Sequence, residues 1–253
     1  MRTVGIVQAR LGSARLPGKV LADIHGRPML GWVVERARRS GCLDDLWIAT
    51  SSSPDDDPVA AFAERAGVGV YRGDVADVLG RYVGAADAAR ADVVIRLTGD
   101  SPVVEPAYIR MTLDRHVATG VDLTCAKHPD DIIPGTGCEA VNLPALRMAA
   151  EQGHSPDDRE HVTWYLLTNR DRFSVEFVRP PMARKNPGIR LTVDEAADLD
   201  LVRELYARLA PQHPDFGVED VFRLFDREPA LFERNRNVRS RSRLLSLPGP
   251  ATL

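Results

Sequence analysis

Several common functional classes are excluded by what this chain lacks. Only three of its 253 residues are cysteine. Cys42, Cys125 and Cys138 lie far apart and form no CxxC pair. Neither a zinc site nor a disulfide framework is expected, and a reducing cytoplasm is the simplest setting. Charge of one sign is also scarce: 33 Lys and Arg against 36 Asp and Glu leave a net charge of −3. A general nucleic-acid binder would be basic, so any polyanion binding must be local. No window approaches about 18 uninterrupted apolar residues, and no membrane span is expected. The apolar run at Met1–Gln8 is too short for a secretory leader, with Arg10 following at once. No internal repeat is visible.

The familiar nucleotide motifs are missing too. A Walker A loop needs four residues between its glycines and Ser or Thr after its lysine; here five residues separate Gly12 from Gly18, and Val20 follows Lys19. GxGxxG is absent, which argues against a dinucleotide site. No Ser-His-Asp or Cys-His arrangement for covalent catalysis is evident.

What is present is a rhythm. With 44% hydrophobic residues, the chain can bury a substantial core in one domain. Short β-branched runs alternate with longer helical patterns. Strands are expected at Thr3–Gln8, Asp45–Thr50, Gly69–Arg72, Val93–Thr98 and Asp122–Ala126. Helices are expected at Pro28–Ser40, Asp56–Ala66, Val75–Arg90 and Ala107–Thr119. "RLTVDEAADLDLVRELYARL" reads as a strand running into an amphipathic helix. Residues 127–159 are less regular, and the arginine-rich end, 236–253, reads as a basic, mobile, solvated tail. Alternation of this kind implies an α/β fold with a largely parallel sheet covered by helices on both faces. Ligands in such sheets sit beyond the carboxyl ends of the strands.

Two polar clusters fall there. The first is "ARLGSARLPGK", which places Arg10, Arg15 and Lys19 among Gly12, Ser13 and Gly18 directly behind strand one. Glycine-turn amides, bidentate arginines and a mobile lysine together suit a triphosphate. The second is "TGDSP" after strand four, where Asp100 is placed to hold Mg²⁺, a hard cation that prefers oxygen. Asp194 is the candidate second ligand, placed after the strand of "RLTV". A capping box of Thr192 and Glu195 with Asp194 at the helix N-terminus is the structural alternative. Asp77 and Arg81 lie one turn apart and are placed to pair. Arg159, Glu160 and His161 suit either substrate binding or helix capping. Glu139 suits a substrate amine or hydroxyl, or a salt bridge at the rim. "SSSPDDDP" reads as a solvated turn entering a capped helix.

These stretches, with "GRPMLGWVVERARRS", "DVVIRLTGDSPVVEP" and "REHVTWYLLTN", resemble the bacterial cytidylyltransferases. The similarity is to the spore-coat polysaccharide SpsF-like branch, related to CMP-Kdo and CMP-sialic acid synthetases, and it spans about residues 3–235 in order. It implies one nucleotidyltransferase domain over 1–235 with the three-layer α/β/α nucleotide-diphospho-sugar transferase fold, Rossmann-like and GT-A-type, with a mostly parallel mixed sheet. It also implies transfer of CMP from CTP to a sugar or sugar-acid-like acceptor, with pyrophosphate released and Mg²⁺ required. Carried across by position, Ala9, Arg10, Gly12 and Ser13 lie along the nucleotide, and Arg15 and Lys19 hold the triphosphate. Arg10, Lys19 and Asp100 are the catalytic residues, Asp100 and Asp194 the metal site, and Arg81 and Thr98 neighbours of base or phosphates. Glu139, Arg159, Glu160 and His161 face the acceptor or a dimer partner, with 127–165 as the substrate and dimerisation segment. A cytoplasmic homodimer without nucleic-acid or membrane partners is expected. Gly80 stands where an acidic residue is usual, and "GTGCE" where "GLDVE" is. Two rivals stay open: a GT-A-type glycosyltransferase, disfavoured because "TGDSP" lacks a DxD motif, and a nucleotide-binding subunit without turnover.

Overall fold

A computed structural model describes residues 1–126, 132–179 and 186–238. Residues 127–131 of the middle segment and 239–253 of the basic tail lie outside the described residues. In chain order the elements begin with β1 (Thr3–Gln8), the short hairpin β2 (Asp23–Ile24) and β3 (Arg27–Pro28), α1 (Met29–Arg39), β4 (Asp45–Ser51) and α2 (Asp57–Arg65). They continue with β5 (Gly69–Gly73), α3 (Val78–Ala88), β6 (Val93–Thr98), α4 (Pro106–Thr119), β7 (Leu123–Cys125), β8 (Glu139–Asn142) and α5 (Leu143–Gln152). The remainder are α6 (Pro156–Glu160), α7 (Trp164–Thr168), β9 (Val175–Phe177), α8 (Ala196–Leu209), α9 (Val218–Arg227) and α10 (Pro229–Phe232).

Seven strands form one sheet in the order β5-β4-β1-β6-β8-β7-β9. β5, β4, β1 and β6 pair in parallel, β8 is antiparallel to both neighbours, and β7 and β9 are parallel. The sheet is therefore mixed and mostly parallel, as the rhythm predicts. Strand alternation sorts its side chains into two layers. Val4, Ile6 and Val94 pack with Leu79 and Tyr82 of α3 and Leu146 of α5. Val7, Ile95 and Leu97 pack on the other face with Leu30 and Val33 of α1 and Ile109 of α4. Each fully buried Ile or Leu contributes about 1.5–3 kcal/mol. A third apolar cluster joins Ile24, Met29, Leu191 and Val193 to α8 and α9 through Leu205, Tyr206 and Val221. Among the described residues no helix is long and apolar enough to cross a membrane.

The structure corrects several expectations. "RLTV" is extended but joins no sheet: Leu191 donates to Pro134 O at 2.8 Å and Val193 to Asp100 O at 2.8 Å. An apolar β-branched run has the strand pattern, but here it crosses the carboxyl ends of the sheet and finds loop carbonyls instead of a strand edge. The α3 pattern begins three residues later than expected, because Asp77 caps it and accepts from Gly80 N at 2.8 Å. The cap of α8 is shifted by one turn from the Thr192–Glu195 expectation. Glu195 is the N-cap, and Asp198 accepts its N–H at 3.0 Å. Within 127–159, expected to be less regular, β8 and α5 are regular elements. Leu143, Leu146 and Ala149 form the buried face of α5.

Candidate active site

The loop behind β1 is held from three sides. Ala9 N donates to Ala49 O at 3.1 Å, continuing the β1–β4 ladder by one residue. Leu11 N then donates to Asp56 Oδ1 at 2.6 Å, and the other oxygen of this buried carboxylate accepts from the Ser51 hydroxyl. Asp56 belongs to "SSSPDDDP", so that stretch is not merely a solvated turn; one of its aspartates enters the core and anchors the loop. Ser13 N and Gly18 N both donate to Leu11 O, at 2.8 and 2.9 Å. Gly18 has φ +75°, a conformation that favours glycine. It turns the chain into a single 3₁₀ turn, Lys19–Leu21, whose Val20 is buried.

That turn points Lys19 inward, leaving it only 8% exposed. Its ammonium donates to Val193 O at 2.6 Å, to Asp100 Oδ2 at 3.2 Å and to Asp194 Oδ1 at 3.3 Å. Three acceptors match the three N–H bonds of lysine. Arg15 reaches the same Asp194 Oδ1 at 2.9 Å and Glu195 Oε1 at 3.1 Å. Arg190 pairs with Asp194 Oδ2. Asp100 is oriented from its other side by Ser101, whose hydroxyl lies 3.5 Å from Asp100 Oδ1 and 2.8 Å from Thr98 Oγ1. The structure thus brings Arg15, Lys19, Thr98, Asp100 and Asp194 together at the carboxyl ends of β1 and β6. Arg190 and Ser101 were missed, although both lie within "RLTVD" and "TGDSP".

The other predicted residues gather beside α3. Arg10 lies 3.9 Å from Glu160 Oε1. Arg81 is 2% exposed and donates to the carbonyls of Asp74 and Val75. Burial lowers its pKa, and the nearby Arg10 charge lowers it further. Asp77 and Arg81 do not pair with each other. Asp77 instead meets Arg159 at 3.5 Å, and Arg159 also donates to Ala150 O at 2.8 Å. His161 Nε2 lies 4.0 Å from Asp157. At Gly80 an added Cβ would stand 2.4 Å from Asp77 Oδ2, so an acidic residue there would displace the cap. Glu139 is not at a rim. It is fully buried on β8, accepting from Arg96 Nη1 at 2.8 Å and Thr163 Oγ1 at 3.1 Å. Burial is the largest single influence and lowers the Arg96 pKa, but the charge and hydrogen bond of Glu139, with Tyr82 and Asp100, together outweigh it and the net shift is upward.

A family profile described as cytidylyltransferase matches residues 4–222. The chain belongs to the cytidylyltransferase family. It is 34% identical over 229 residues to spore coat polysaccharide biosynthesis protein SpsF of Bacillus subtilis, covering 88% of this chain and 94% of that one. A cytidylyltransferase from Leptospira borgpetersenii is similar in structure with a TM-score of 0.85 at 24% identity, covering 96% of this chain and all of that one. CMP:2-keto-3-deoxy-manno-octonic acid synthetase complexed with CTP is similar with a TM-score of 0.64 at 23% identity, covering 82% and 99%. These likenesses establish a three-layer α/β nucleotidyltransferase fold, and the family establishes a CTP-utilising enzyme.

Among the described residues no three His, Cys, Asp or Glu side chains form a metal cage. Two carboxylates, Asp100 and Asp194, converge on one ammonium. This donor set fits Mg²⁺, which binds through one or two carboxylates and completes its shell with substrate phosphates and water.

Proposed function

We propose that the enzyme transfers CMP from CTP to a hydroxyl of a sugar or sugar-acid-like acceptor, in the synthesis of a surface polysaccharide or a specialised metabolite. The observation that carries this reading is the meeting of Arg15 and Lys19 on Asp194, with Asp100 alongside, at the mouth of the sheet. These cations are already neutralised by carboxylates. An arriving triphosphate competes for them, leaving Asp100 and Asp194 as hard-oxygen ligands for a divalent cation.

In the reaction an acceptor oxygen forms a bond to the α-phosphorus. The bond from that phosphorus to the bridging oxygen breaks, the hydroxyl proton passes to water, and pyrophosphate departs with the electron pair. Arg10, Arg15 and Lys19 offset charge on the equatorial and leaving oxygens, a positioning and electrostatic task that needs no covalent nucleophile. Bound Mg²⁺ would neutralise phosphate oxygens and polarise the reacting phosphoryl group. Ala9, Gly12 and Ser13 line the nucleotide, with Thr98 and Arg81 beside it. Arg159, Glu160 and His161 face the acceptor, while Glu139 supports them from beneath through Thr163. The name of the Bacillus relative supports the polysaccharide setting.

The test is pyrophosphate release with Mg²⁺, offering CTP, UTP, GTP and ATP each against an acceptor library of sugars, keto-acid sugars and small alcohols. Release with CTP and one acceptor class supports the reading. Sugar transfer from an intact nucleotide sugar without pyrophosphate would replace it.

A further inference from the structure

Asp194 is held by a network of buried side chains. Arg190 Nη2 pairs with its Oδ2, while Arg190 Nη1 donates to both oxygens of Asp198 at 3.2 and 3.4 Å. Asp198 is 0% exposed, and its Oδ2 also accepts the Asp194 and Glu195 N–H groups at 2.9 and 3.0 Å. Asn235, 4% exposed and 37 residues further along the chain, closes the network. Its side-chain amide donates to Asp198 Oδ1 at 2.8 Å and to Arg190 O at 3.0 Å.

We infer that Asp198 and Asn235 are positioning residues that act through Arg190 to aim Asp194 Oδ1 at the loop behind β1. A helix cap alone would account for the bond from Glu195 N to Asp198. It does not account for an arginine bridging Asp198 and Asp194, nor for an Asn235 amide that ties Asp198 and the Arg190 backbone together. With Oδ2 taken by Arg190 and the Asp194 backbone fixed by Asp198, one oxygen is left to face Lys19 and Arg15. An oxygen so fixed costs little entropy when it engages a cation or a substrate group. Residues of this kind typically change metal affinity or activity by about 10–100-fold when removed.

This inference rests on the reading of Asp194 as a metal ligand, and its test is read without turnover. Mn²⁺ is titrated into the full chain with CTP present, following the signal of free Mn²⁺ by electron paramagnetic resonance. The proteins are wild type, Asn235→Ala, Asn235→Ser and, as a control in the same turn, the exposed Asn237→Ala. Pyrophosphate release over Mg²⁺ concentration is measured in parallel.

Asn235→Ala is expected to weaken Mn²⁺ about tenfold or more, raise half-saturating Mg²⁺ and lower kcat, with KM for CTP within about threefold of wild type. Asn235→Ser, which keeps one donor, falls between, and Asn237→Ala matches wild type. A folded Asn235→Ala that binds Mn²⁺ within about twofold of wild type overturns the proposal. So does failure of both Asn235 variants to fold, which would make the contact purely structural, and so does a wild type that binds no Mn²⁺. Wild type that binds Mn²⁺ but releases no pyrophosphate retires the CMP-transfer reading, while the Mn²⁺ comparison still decides the role of Asn235.

Discussion

Lys19 Nζ and Asp194 Oδ1 meet at 3.3 Å although 175 residues separate them in the chain. The same ammonium touches Asp100 at 3.2 Å. One lysine therefore joins the loop behind β1, the loop behind β6 and the entry to α8. In the proposed reaction, phosphate neutralisation and metal-ligand placement converge on that single group.

Lys19→Ala should leave the fold cooperative and reduce turnover on the order of 10²-fold or more, as for other groups aimed at developing phosphate charge. Circular dichroism and steady-state pyrophosphate release on the same preparation check this. Near-normal kcat would remove Lys19 from the chemistry.

Asp56 is expected to act on nucleotide binding without touching the nucleotide. Asp56→Ala removes the acceptor of the Leu11 N–H and Ser51 hydroxyl bonds, leaving buried donors unpaired at about 1–3 kcal/mol. The loop carrying Arg10, Gly12 and Ser13 then loses its anchor. KM for CTP should rise several-fold with kcat less affected. An unchanged KM alongside lowered stability would confine Asp56 to the core.

Glu139 separates a structural from a substrate role. Glu139→Gln leaves the Arg96 charge buried without its counter-ion, and breaking a buried pair in this way costs about 3–5 kcal/mol. Chemical denaturation should show that loss. A change confined to the KM of the acceptor, with stability intact, would restore Glu139 as a direct contact.

His116 should make stability depend on pH. Burial lowers its pKa below the ordinary value near 6.5, partly opposed by its hydrogen bond to Asn142. The unfolded chain then takes up a proton that the folded chain refuses. Stability is full above about pH 6.5 and falls as pH drops through that value toward the depressed folded pKa. His116→Gln should flatten this fall in melting temperature between about pH 5 and 7. An equal slope in both proteins would assign the dependence to other groups.

Much of the site was legible in the sequence because it rests on local pattern. β1 and β6 were bounded correctly by their apolar runs, and in a mostly parallel sheet the loop behind each such strand lies at its carboxyl end. That rule alone brings Arg15, Lys19 and Asp100 together. Asp56 escaped because a buried aspartate in "SSSPDDDP" has the same local signature as a solvated one. "RLTV" misled because an extended apolar run does not reveal whether its partner is a strand or a loop carbonyl. Asn235 gave no signal, since its importance lies entirely in what it meets.

The order of elements, the largely parallel sheet and the chemical character of the two polar loops were determined by the sequence alone. Side-chain period and turn chemistry are properties of neighbouring residues, and neighbours are what a sequence displays. Which oxygen of Asp194 faces Lys19, which carboxylate is sealed beneath the sheet and which amide closes the network were decided only by tertiary structure. Those choices depend on burial and on partners tens to hundreds of residues away. A charged side chain is committed to one partner only when folding removes the water that would otherwise serve it.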